Sequence, residues 1–396
     1  MAKATDFQKL RKRRQRNILL RRLFILVAVV VALFAVLSLN NLLVNQQFPT
    51  VVNNFIQGFG GSRFPIRAPG GILRDVQPLG NDIVVLNNTN LHVYNRNGRE
   101  LLGVQHMSDS TVMLTSGNRM LTYTFGGTGF NIYFQNRMML DGEHDNPIRV
   151  AALGERGNYA LVSSTWQFAS QVTVFTEQFE QHVRWDTSEL VAMVALNPRG
   201  TEMAAASIGA QGGQLRTTIS LFDFSTSSVK AQLELTGELI LGLEYLNDAH
   251  IAVITDGGLR VINSANGRVI NSYDISAGRL VLTRMNSEHI LLLNENSEYR
   301  TQTVILFNTR GEELGRTEPG SMVRDMQVGS AGVYVLTAQG IGRYDHTMSH
   351  IEKVEQGGIL RILLAGNTLY YFTEEEIRVL STRPVNQPTR GGSPGD

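Results

Sequence analysis

The 396-residue sequence contains no cysteine, which rules out both disulfides and thiolate-bound metal. Tryptophan is nearly missing as well, with Trp166 and Trp185 the only two. Proline is scarce, at 10 residues against 38 glycines, and charged side chains make up only 18% of the chain. Together with 42% apolar residues, that balance describes a turn-rich globular protein with material for a large core. No long stretch after residue 62 has helical periodicity. No Gly-x-Ser-x-Gly falls before the tail 383–396, and no Ser, His and acid fall into a familiar local pattern, so no catalytic residue is assigned.

One feature of charge is local. Lys3, Lys9, Arg11, Lys12, Arg13, Arg14, Arg16, Arg21 and Arg22 stand near the start, opposed there only by Asp6. The remainder holds 27 bases against 34 acids, so the main body is mildly acidic and nucleic acid is not expected as a partner. From Leu23 to Leu39 run 17 residues without charge, about 26 Å of helix at ~1.5 Å per residue. Ile18 to Leu20 and Leu42 to Val44 extend the run to a full bilayer span, with Arg21 and Arg22 free to snorkel. The run is longer than a signal-peptide core and no small-x-small cleavage site follows Ser38, so an uncleaved anchor is expected. Bases are retained on the cytoplasmic side of such a helix. The expected order is a basic cytoplasmic segment (1–17), a signal-anchor transmembrane helix (18–44), a linker (45–62), an extracytoplasmic domain (63–382) and a disordered tail (383–396), a single-pass protein of the plasma membrane.

The domain itself repeats about every forty residues, the scale of a four-stranded propeller blade. Eight units begin with an apolar strand, at Ile72–Val76, Thr111–Thr115, Ile148–Ala152, Leu190–Leu196, Leu239–Tyr245, Arg279–Met285, Met322–Val328 and Ile359–Ala365. A more hydrophobic second strand follows, as in "GNDIVVLNN" and "SAGVYVLTA". The third strand and its turn read "LHVYNRNGRELL", "LRVINSANGRVI" and "VILFNTRGEELG", where Gly98, Gly267 and Gly311 supply the positive φ of a tight reversal. The last unit has only three strands, and Arg63 to Ala68 supplies the fourth, zipping the ring shut. The fold predicted is all-β, an eight-bladed β-propeller, or a seven-bladed one if the unit from Thr111 is a divergent insertion.

Strand, Asn-x-x-Gly and outer strand resemble the quinoprotein-like (PQQ-like/WD40-like) propeller repeat, with aliphatic residues or Tyr273 where that repeat carries a docking tryptophan. The anchor, "FPIRAPGG" and the blades together resemble an uncharacterised domain-of-unknown-function family of membrane-anchored β-propellers from Gram-positive anaerobic bacteria. That resemblance implies a topology and no activity. Two tryptophans and no cysteine do not suit a quinone cofactor, and none is expected.

Few residues invite a site. Trp166 and Phe168 in "SSTWQFASQ" fall where the second and third strands of their blade should reverse; exposed aromatics there anchor partners, whereas a buried Trp would merely cover its own blade's edge. His346 and His350 lie on what reads as a hairpin, Asp141, Glu143 and Asp145 lack the glutamate and glycine of a calcium loop, and Glu374, Glu375 and Glu376 read as a charged hairpin tip. No metal is expected. The function expected is a non-enzymatic interaction or scaffold module of the cell envelope, binding an envelope protein, peptide or polymer. The alternatives are an enzyme cleaving envelope polysaccharide or peptide in the propeller funnel, or a ligand sensor.

Overall fold

A computed structural model describes residues 64–380, other than 107, 227 and 276–277. The basic segment, the expected helix 18–44, the linker and the tail lie outside the described residues. Among the described residues no helix is long and apolar enough to cross a membrane.

All regular structure described is β: 32 strands form eight four-stranded antiparallel sheets. In seven sheets the strands follow one another in chain order, so each is a meander of about forty residues. The first strands are Leu73–Leu79, Thr111–Ser116, Ile148–Leu153, Leu190–Leu196, Ile240–Tyr245, Arg279–Met285, Val323–Gly329 and Arg361–Ala365. The unit from Thr111 forms a complete blade, with Arg119–Thr124, Gly129–Phe134 and Arg137–Glu143, so the ring has eight blades and the seven-bladed alternative falls. The eighth sheet is built from both ends of the domain. Ile66 pairs with Ile377 and Arg67 with Glu376, which adds Ile66–Arg67 as the outer strand beside Glu376–Leu380.

Burial follows strand position. The second strands are almost wholly buried, as in Gly332–Thr337, because each is paired on both edges and packed on both faces. Outer strands alternate between exposed and half-buried residues, as in Glu100–Gln105. Eight apolar clusters fill the eight seams between neighbouring blades. In the closing seam, Ile83, Val85 and Tyr94 of blade one meet Tyr370, Phe372 and Ile377 of blade eight, with Phe64 and Ile66 packed against them. No blade buries its faces alone, so the ring is one cooperative unit.

The docking position is richer in aromatics than the sequence reading allowed. Trp185, on the outer strand of blade three, packs on Phe222 of blade four with ring centroids 4.6 Å apart. Tyr273, on the outer strand of blade five, does the same on Phe307 of blade six, 5.2 Å apart. Trp185 was hidden because "QHVRWDT" lacks the Asn-Gly turn that marks the outer strand elsewhere.

Candidate functional site

Antiparallel meanders send their loops to two ends. Blade-to-blade connectors and second-to-third loops leave at one end, the upper face; first-to-second and third-to-fourth turns leave at the other, the lower face. Bonds between neighbouring blades tie like to like. Asn286 Nδ2 donates to the Val328 carbonyl (3.0 Å) and Asn197 Nδ2 to Asp248 Oδ1 (3.2 Å) on the lower face. The Val191 N–H donates to Ser170 Oγ (2.8 Å) and the Val323 N–H to Gln302 Oε1 (2.7 Å) on the upper.

The lower face is committed to shaping its own turns. Asn95 Oδ1 accepts from the N–H groups of Asn97 and Arg99, and Asn308 Oδ1 from those of Arg310 and Glu312. Gly98, Gly267 and Gly311 complete these turns at φ of 77°, 68° and 75°. Asn197, Asn247 and Asn286 cap the first-to-second turns in the same manner.

The upper face is different. The five most exposed large apolar side chains among the described residues all stand on its loops: Trp166 (91%), Ile72 (74%), Tyr299 (70%), Met322 (68%) and Phe125 (57%). Trp166 covers no edge of its blade. Its loop is closed by the Thr165 N–H donating to the Phe168 carbonyl (3.1 Å) and the Phe168 N–H to Thr165 Oγ1 (3.0 Å), so a bonded turn holds the indole outward while Phe168 is half-buried. These loops are also acidic. The connectors carry Asp109, Asp145, Glu189, Glu238, Glu318 and Glu355, and the second-to-third loops carry Asp256, Glu298, Glu374 and Glu375, against which stands Arg300. Two of these acids are internal struts: Glu189 pairs with Arg216 (2.5 Å) and Glu238 with Arg260 (2.7 Å).

Around the channel mouth the sign changes. In six first strands the register slips at one place, expelling Arg74, Arg149, Ala192, Leu241, Val281 and Arg324 from the ladder. Arg74 donates to the Asp109 carbonyl and Arg149 to that of Ala169 (3.4 Å). A repeat that the sequence reading missed underlies this: "PGGILRDVQ" from Pro69 and "PGSMVRDMQ" from Pro319 give blades one and seven the same exposed apolar residue, expelled arginine and inward aspartate. Those aspartates bind the ring together. Asp325 accepts from Arg284 Nη2 of blade six (2.8 Å) and the Ile362 N–H of blade eight (3.2 Å). Asp75 accepts from Gln77 Nε2 (2.7 Å), which also donates to the Met113 carbonyl of blade two (2.9 Å). Burial raises the Asp75 pKa, opposed by the hydrogen bonds from Gln77 and Val76 and by the Arg284 and Arg361 charges.

The side chain of Glu244 of blade five has no ion-pair or hydrogen-bond partner among the described residues. Water reaches its carboxyl, yet the surrounding wall encloses it and pushes its pKa up to about 7. Glu244 and Asp75 stand on blades opposite one another, so the channel does not bring two acids together.

The other singled-out residues disperse. His346 stacks on His289 (4.7 Å) and its Nε2 faces the Gly329 carbonyl (2.9 Å), while His350 meets Tyr344 edge-on. Among the described residues no three His, Asp or Glu side chains are grouped to hold a metal. Glu374, Glu375 and Glu376 line a recess with Arg67 at the closing blade.

Known proteins resemble this chain in architecture. The C-terminal WD40 domain of Sif2 has 13% identity and a TM-score of 0.55, covering 79% of this chain and all of that one (100%). The computationally designed Ika8 protein has 12% identity and a TM-score of 0.58, covering 81% of this chain and 100% of that one. BamB from Moraxella catarrhalis has 13% identity and a TM-score of 0.49, covering 80% and 96%. None of the curated protein sequences matches. The profile of a family of unknown function, DUF5711, matches residues 73–381, which takes in every strand but the closing Ile66–Arg67, and the chain belongs to that family.

Proposed function

We propose that this protein is a membrane-anchored, extracytoplasmic scaffold of the cell envelope that docks a protein partner on the upper face of its ring. The observation that carries the reading is the gathering of Trp166, Ile72, Tyr299, Met322 and Phe125 on one face, where they are the five most exposed large apolar side chains among the described residues. Large exposed aromatics on ordered loops are the usual anchors of protein interfaces. Acidic loops around them favour a partner segment that carries Lys or Arg beside apolar side chains. The uncharged run Leu23–Leu39, preceded by nine bases, supports an inside N-terminus and an outside ring. Hydrolysis in the funnel is the less favoured reading, because Glu244 has no second carboxylate beside it.

The test is co-purification from envelopes of cells expressing the full-length chain. Trp166→Ala combined with Tyr299→Ala is expected to lower recovery of the bound protein about tenfold or more, the loss of one good anchor. Arg96→Ala combined with Arg310→Ala, on the lower face, is expected to leave it unchanged. Equal recovery with both pairs of substitutions would overturn the reading.

A further inference from the structure

The seam between blades one and two holds a recess of about 310 Å³, lined on one side by Leu91, Val104 and Gln105 and on the other by Thr122, Asn131, Tyr133 and Asp141. Two departures create it, the first from blades three and five and the second from all the other blades. The first is a missing ring. Counted from the slip in the outer pairing, Val104 occupies the position of Trp185 in blade three and Tyr273 in blade five, and Tyr133 the position of Phe222 and Phe307 that receive those rings. A valine reaches Tyr133 with far less volume than an indole, so the seam stays open there.

The second departure is polarity. On the cross-strand row Met113, Thr122, Asn131, Asp141, the second-strand residue is a threonine. The equivalent positions of the other blades hold Val85, Leu161, Ala205, Val253, Leu292, Val335 and Tyr371, all wholly or largely buried in the seams. Asn131 Oδ1 is buried without a hydrogen-bond partner, an arrangement that costs stability unless something donates to it. Asp141 has no ion pair among the described residues and lies close enough to raise the Tyr133 pKa further, after burial. The recess therefore offers acceptors and one uncompensated negative charge, beside the aromatic rings of Phe130 and Tyr133.

We propose that this recess binds a small polyhydroxylated amine of amino-sugar size, its ammonium at Asp141, a hydroxyl donating to Asn131 Oδ1 and its apolar ring face against Phe130 or Tyr133. A ligand of that size in an open, partly wet site binds at millimolar strength. The site is distinct from the upper-face aromatics, so it stands or falls apart from the docking function.

The experiment is saturation-transfer NMR on the full-length chain with glucosamine as probe and glucose as its uncharged counterpart. Glucosamine is expected to give saturable binding and glucose to bind about tenfold more weakly, the value of one charge-assisted hydrogen bond. Asp141→Asn should abolish the preference for the amine. Val104→Trp copies the Trp185 contact, so it should keep the melting temperature while filling the recess and removing binding of both sugars. Absence of saturable binding, equal binding of the two sugars, or unchanged binding in a folded Val104→Trp protein would overturn the proposal.

Discussion

Asp325 shows how one side chain can hold three blades. Its carboxylate is 1% exposed and joins Arg284 of blade six to the backbone of blade eight. Asp325→Ala leaves that arginine and the Ile362 N–H without their acceptor, and is expected to cost about 2–3 kcal/mol in urea unfolding. The figure sits below the ~3–5 kcal/mol of a fully buried pair because the Arg284 side chain keeps 33% of its surface in water. Glu244 works in the opposite sense. Its folded pKa of about 7 exceeds the ordinary 4.5, so the folded state binds the extra proton. Stability from this group is complete below about pH 4.5 and is lost as pH rises through about 7. Glu244→Gln is therefore expected to raise the melting temperature at pH 8 and to change it little at pH 4.5; an equal effect at both values would contradict the assignment. Neither residue was legible in the sequence. A carboxylate in a strand reads as a solvent-facing residue, and only closure of the ring turns these positions toward a neighbouring blade or an enclosed channel.

Strands were more readable than side chains. First strands such as Leu190–Leu196 and Arg279–Met285 are bounded as the sequence implies, because a buried strand between glycine or asparagine turns leaves little choice of register. The one-residue slips in six first strands were not readable, since an extra residue in a ladder has no composition of its own. The short strand Ile66–Arg67 carries the closure, with Ile66 opposite the fully buried Ile377. Ile377→Ala is expected to cost about 2–5 kcal/mol, the range for truncating a buried isoleucine. Removing every residue before Gly70 should lower the melting temperature further, because it strips a whole strand and the Phe64 contact with Tyr370. A truncated chain as stable as one that starts at Asn45 would contradict closure by that strand.

For the whole molecule, the asymmetry of the two faces in exposed apolar side chains is the property on which the proposed docking rests. Repeats made the ring visible in the sequence, and Trp166 was visible as an aromatic on a loop. Its companions were not, because Ile72, Phe125, Tyr299 and Met322 are far apart in the chain and only the circular arrangement gathers them on one face. Family membership adds a shared architecture without an activity, so the docking face must be tested directly. The most direct measurement places a photoreactive side chain in the full-length protein at Trp166, Tyr299 or Met322 on the upper face, and at Asn97, Asn266 or Arg310 on the lower, and compares crosslinking in intact cells. The account predicts one common crosslinked protein from the three upper positions and none from the lower three. Equal crosslinking from both faces, or from the lower face alone, would contradict it.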